Sequence, residues 1–108
     1  MFRHISLFTL KTQPENGKTQ EENRAILLDM LQKLPQTDPT ILSNVVGNGL
    51  GGPPDLPPGG PQFCHVAQII DFATLEDCMA YPASQGHRAL TEFGQGVIES
   101  VACMDFEL

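Results

Sequence analysis

The sequence predicts an α+β fold in which two helices cover one face of a four-stranded antiparallel sheet. Three observations predict it. Strand-like and helix-like segments follow one another as β-α-β-β-α-β. The 108 residues are enough for one hydrophobic core, so residues 1–108 read as a single domain. Finally, the first and last strands are apolar on both registers, which fits a sheet covered on both sides.

Residues 2–11 are rich in β-formers and make the first strand. Thr19-Gln20-Glu21-Glu22 is a capping box, in which the Thr19 hydroxyl satisfies the amide of Glu22 and the Glu22 carboxylate reaches back. Leu27, Met30, Leu31 and Leu34 then repeat at i, i+3, i+4, i+7, one buried stripe of a helix. Pro35 disfavours helical geometry at Leu34 and ends it. Thr40 to Val46 is a second strand, stopping at Gly47. Residues 49–61, Gly-Leu-Gly-Gly-Pro-Pro-Asp-Leu-Pro-Pro-Gly-Gly-Pro, oppose regular structure through glycine entropy and absent proline donors. Gln62 to Phe72 is a third strand. Thr74 caps a second helix, with Asp77 three residues on; Pro82 interrupts it and Ser84 recaps a continuation. Leu90 and Phe93 mark its buried side, and Gly94 or Gly96 supplies a left-handed stop. Val97 to Phe106 is the fourth strand. This order is that of a ferredoxin-like sandwich.

On the first strand, Ile5 and Leu7 oppose Phe2, Phe8 and Leu10; on the last, Val97, Val101 and Cys103 oppose Ile98, Ala102, Met104 and Phe106. A sheet apolar on both faces needs a second cover, and the chain has no spare element to provide one. A second copy is therefore expected, giving a homodimeric barrel. The chamber closed by that pairing is expected to house any ligand and the site residues.

Thirteen acids against six bases leave a net charge of −7, which repels phosphate backbones and anionic membrane surfaces. Nucleic-acid binding is not expected. The N-terminal residues lack a signal-peptide pattern, and no run approaches the ~20 apolar residues of a spanning helix. Three widely spaced cysteines, Cys64, Cys78 and Cys103, form neither a zinc pattern nor a disulfide framework and read as small core fillers. A cytoplasmic location is expected.

His4 and Ser6 share the less apolar register of the first strand. In the strand order 4-1-3-2, His4 lies beside Asp105, about 5 Å away at Cβ if directly opposed. A carboxylate beside an imidazole fixes its tautomer and raises its basicity, as a general base requires; the alternative is a histidine satisfied by a local hydrogen bond. Tyr81 and His87 flank the Pro82 break, where a phenol and an imidazole together orient a substrate and move a proton; the alternative is packing. His65 reads as structural. No metal site is expected, because no two histidines have the spacing of a ligand pair. Nor does the glycine-rich segment fit a phosphate-binding loop.

The opening strand with His4, the segment Phe72-Ala-Thr-Leu-Glu-Asp-Cys-Met-Ala-Tyr81, the following Pro82-Ala-Ser-Gln-Gly-His87-Arg88 and the ending Val97-Ile-Glu-Ser-Val-Ala-Cys-Met-Asp105-Phe106 resemble the stress-responsive dimeric A/B-barrel (Dabb) proteins. The resemblance spans nearly the whole chain, with residues 49–61 looking like an insertion. It implies a ferredoxin-like protomer, two-fold pairing through the sheets and a partly apolar cavity in each half. A similar plant polyketide cyclase uses a Tyr–His pair, matched here by Tyr81 and His87, with cavity positions matching His4 and Asp105. The chain departs from the common H-P-x-H pattern: Ser84 stands at the first histidine and Gln85 at the proline. Three readings follow. One is a dimer that binds a small apolar or carbonyl-containing molecule without a cofactor. Another is an enzyme with His87 as base and Tyr81 as its partner. The last is a structural oligomer with a filled barrel.

Overall fold

A computed structural model describes residues 1–108. Its elements are β1 (Phe2–Leu10), α1 (Gln20–Lys33), a 3₁₀ turn (Leu34–Gln36), β2 (Ile41–Asn48), β3 (Val66–Phe72), α2 (Leu75–Ala80), a second 3₁₀ turn (Tyr81–Ala83), α3 (Gln85–Gly94) and β4 (Ile98–Glu107). The strands form one sheet in the order β2-β3-β1-β4, and every neighbouring pair is antiparallel. No helix is long and apolar enough to cross a membrane.

The expected caps set the helix starts. Thr19 Oγ1 accepts from the Glu22 amide at 3.1 Å, and Glu22 Oε1 accepts from the Thr19 amide at 3.0 Å. Thr74 and Ser84 accept from the Asp77 and His87 amides. Gly96, at φ +73°, makes the left-handed turn that leads into β4. Leu27, Leu31 and Leu34 are buried, as the stripe predicts.

β2 runs on through Gly47 to Asn48, β1 and β4 shift by one residue, and two further boundaries differ for reasons the structure shows. Leu34 keeps helical dihedrals (φ −53°, ψ −42°), because Pro35 falls in the first turn of a 3₁₀ helix, where a missing N–H costs no bond. β3 begins at Val66 rather than Gln62. The Leu10 amide, which would extend the β1–β3 ladder, instead donates to Nδ1 of His65 at 2.9 Å, so a side chain closes the ladder there.

Because strand side chains alternate, β1 presents Phe2, His4, Ser6, Phe8 and Leu10 to the helices and Arg3, Ile5, Leu7 and Thr9 to the other side. The helix side is the core, where Phe8, Leu10, Val66, Ile70 and Phe72 meet Leu27, Leu31, Leu34 and Leu90. α1 lies over β2 and β3, and α2 over β1 and β3. α3 packs on the second 3₁₀ turn and α1. β4 is an edge strand and carries no buried residue.

No element covers the outer face. Register places Ile5 beside Ile69 and Met104, and Leu7 beside Ala67 and Ala102. Leu7, Val45 and Met104 are 39%, 57% and 63% exposed. Within this apolar surface Arg3 grips Asp71 through two bonds, of 2.8 and 3.0 Å.

Candidate functional site

Tyr81 opens the 3₁₀ turn that joins α2 to α3, and Pro82 holds that turn in place of a continuous helix. Its ring is 2% exposed. It meets His4 at 5.3 Å between centroids, Phe72 at 5.7 Å and His87 edge-on at 5.1 Å. Ser84 caps α3 through the His87 amide, so the cap sets where His87 begins its side chain. Helical side chains lean toward the N-terminus, which carries this imidazole back onto Tyr81.

The strand side of the site comes from ladder register. His4 lies opposite Asp105, and Ser6 lies between Gln68 and Cys103 on the two flanking strands. Asp105 Oδ1 is 2.5 Å from His4 Nδ1, and His4 Nε2 is 2.8 Å from Ser6 Oγ. A carboxylate only accepts, so in the neutral His4 ring the proton sits on Nδ1 and Nε2 accepts from the Ser6 hydroxyl. Ser6 Oγ also lies 3.5 Å from Cys103 Sγ. Tyr81 donates a long bond, 3.4 Å, to Gln68 Oε1, while the buried Gln68 Nε2 has no partner.

Burial pushes the Tyr81 phenol up to about 12, against the opposing pull of its bond to Gln68. It therefore remains a proton donor at neutral pH. Burial also holds His87 below the usual imidazole value, reinforced by repulsion from the His4 ring in its protonated form and resisted by the Pro82 carbonyl. His87 is accordingly neutral and able to take a proton.

Several of these groups line a pocket of about 460 Å³ between α3 and β4. Ser6, Gln68, Tyr81 and His87 line it together with Thr91, Gln95, Glu99 and Ser100, and Phe8, Leu90, Ile98 and Val101 supply apolar walls. All five expected site residues thus converge: Ser6, Tyr81 and His87 on the pocket, His4 and Asp105 behind Ser6. Their location corrects one expectation. The pocket lies between sheet and helices of one protomer, because His4 and Ser6 occupy the helix-facing register, and not on the outer sheet face expected to meet a second copy.

Cys103 is a second correction: it is exposed and lines the pocket, since β4 is an edge strand with no helix pressed on it. Cys64 is partly exposed, and only Cys78 is a buried filler. His65 has a structural partner in the Leu10 amide, and burial lowers its pKa. Gln68 was not foreseen; its only sequence signal is one uncharged polar residue in the apolar run Val66–Phe72. No three His, Cys, Asp or Glu side chains gather into a metal-ligating set.

The model of the stress-responsive A/B barrel domain matches residues 2–108. Among solved structures, a dimeric protein of unknown function with a ferredoxin-like fold from Bacteroides fragilis superposes with a TM-score of 0.73 at 23% identity, covering 99% of this chain and 95% of that one. A dimeric ferredoxin-like protein of unknown function from Thermobifida fusca gives 0.72 at 23% identity, with 99% and 90% covered. The hydroxynitrile lyase of Passiflora edulis gives 0.70 at 17% identity, with 99% and 92% covered. At these identities the likeness shows the fold. No curated protein matches in sequence.

Proposed function

The chain belongs to the stress-responsive A/B barrel domain family, and from that premise we propose a homodimer whose protomers each bind a small, mostly apolar carbonyl compound between α3 and β4, where His87 moves a proton next to the carbonyl. The observation that carries this reading is a neutral imidazole set edge-on to a protonated phenol, both on the wall of a partly apolar pocket. His87 removes the proton alpha to the carbonyl, and the Tyr81 hydroxyl donates a hydrogen bond to the enolate oxygen as charge builds there. Both groups belong to the chain, so the step needs no cofactor. Pairing is supported by the uncovered outer face, too apolar to be a solvated sheet surface, and by the two dimeric proteins of similar fold. That one similar fold is a hydroxynitrile lyase supports catalysis only by analogy.

The test is deuterium exchange at the α-carbon of a β-diketone, followed by NMR. The wild-type protein is expected to accelerate exchange, and His87→Ala to lose about 10²-fold or more of it. Equal exchange in the two proteins removes His87 as the base. A ligand that binds wild type and variant alike, with no exchange in either, leaves binding as the function.

A further inference from the structure

The Asp105–His4–Ser6 chain has a consequence apart from proton transfer by His87. Carboxylate, imidazole and hydroxyl stand in series at 2.5 and 2.8 Å, with Asp105 on Nδ1 and Ser6 on Nε2. This is the constellation that activates a serine, and it is recognised by geometry and roles whatever the fold. Three further features complete it. Ser6, itself 3% exposed, lies at the floor of the pocket. Gln68, its neighbour across the β1–β3 ladder, buries an amide donor, Nε2, that nothing in the chain satisfies. A buried donor without an acceptor is costly, and this one belongs to a residue that borders the pocket, where a ligand oxygen could satisfy it after a small shift of the amide. The walls beyond, Phe8, Leu90, Ile98 and Val101, are apolar.

We propose that Ser6 is a nucleophile, activated by His4 and Asp105, that accepts the acyl group of small esters with an apolar acyl chain. Ser6 Oγ forms a bond to the acyl carbon while its proton passes to His4 Nε2. The carbonyl oxygen takes the negative charge and meets Gln68 Nε2, the donor left free for it. The bond from acyl carbon to alcohol oxygen then breaks, and that oxygen leaves with the proton held on His4. Water attacks the Ser6 ester, gives a proton to His4, and the acid departs as the proton returns to Ser6 Oγ. The sum is ester plus water to acid plus alcohol. Asp105 holds the imidazole in the tautomer that makes the first transfer possible.

The experiment mixes the full chain with p-nitrophenyl butyrate and follows p-nitrophenolate release together with peptide mass spectrometry. A burst approaching one equivalent is expected, with the butyryl group on Ser6. Ser6→Ala is expected to abolish the burst, and Ser6→Cys to carry the acyl group on sulfur. Asp105→Asn, its fold checked by circular dichroism, should acylate about a thousandfold more slowly or worse, because the amide favours the wrong tautomer. The proposal is overturned if the wild-type chain shows no burst, if the butyryl group maps to another residue, or if folded Asp105→Asn reacts at the wild-type rate. None of these readouts depends on α-carbon exchange at His87.

Discussion

At the scale of single residues, the groups that matter are those whose protonation the fold alters. Burial lowers His87 and His65, so below the unfolded-state value of 6.5 the unfolded chain binds protons that the native chain refuses. Stability therefore falls as pH drops from 6.5 toward the lower native values. His87→Gln is expected to make that decline shallower, measured as urea midpoints between pH 5 and about 7; an unchanged slope would mean that burial does not penalise the charged ring. Asp71 works in the opposite sense. Its hydrogen bonds from Arg3 hold the carboxyl below 3.8, a stabilisation present above that pH and lost as acid protonates the native carboxylate. The His4–Asp105 neighbourhood was legible because strand order and antiparallel register together place two positions opposite each other. The free amide of Gln68 was not, since a glutamine in an apolar strand reads the same whether or not its side chain finds a partner.

Among the elements, the break between α2 and α3 does most to build the site. A continuous helix would carry Tyr81 and His87 around one cylinder; the 3₁₀ turn at Pro82 and the fresh cap at Ser84 let the two rings meet instead. Ser84→Ala should lower stability by about 1 kcal/mol in thermal or denaturant unfolding. It should also slow α-carbon exchange, because the cap orients the first turn that bears His87. Full stability with unaltered exchange would show that the cap positions nothing. Helix starts were readable from Thr19, Thr74 and Ser84, because a cap is a local event between residues three apart. The start of β3 was not, because it depends on the His65 ring taking the Leu10 amide, a contact 55 residues distant in sequence.

For the whole molecule, the sheet divides two tasks between its faces. The helix side holds the pocket, and the outer side holds the apolar surface that a second copy would cover. Charged residues at both edges of that surface should prevent pairing while leaving the protomer folded. Val45→Lys with Met104→Lys is expected to sediment as a monomer at micromolar concentration, with a native circular dichroism spectrum. Because the pocket is formed within one protomer, the monomer should still catalyse exchange. Loss of exchange on dissociation would mean that the partner completes the site. The two-sided apolar pattern was plain in the residues, but it could not say which side held the chemistry. Only the packing of α1 and α2 on the Ser6 and Phe8 side decides that.

The alternation along β1 therefore interleaves two messages in one stretch of nine residues. Positions 4 and 6 point to the helix side that holds the pocket, whereas positions 5 and 7 point to the outer face that the proposed second copy would cover. Drift in one message leaves the other intact, so substrate preference can wander without loosening the assembly. A single inserted residue ahead of His4 would swap the addresses, turning imidazole and hydroxyl outward and driving isoleucine and leucine in among the helices.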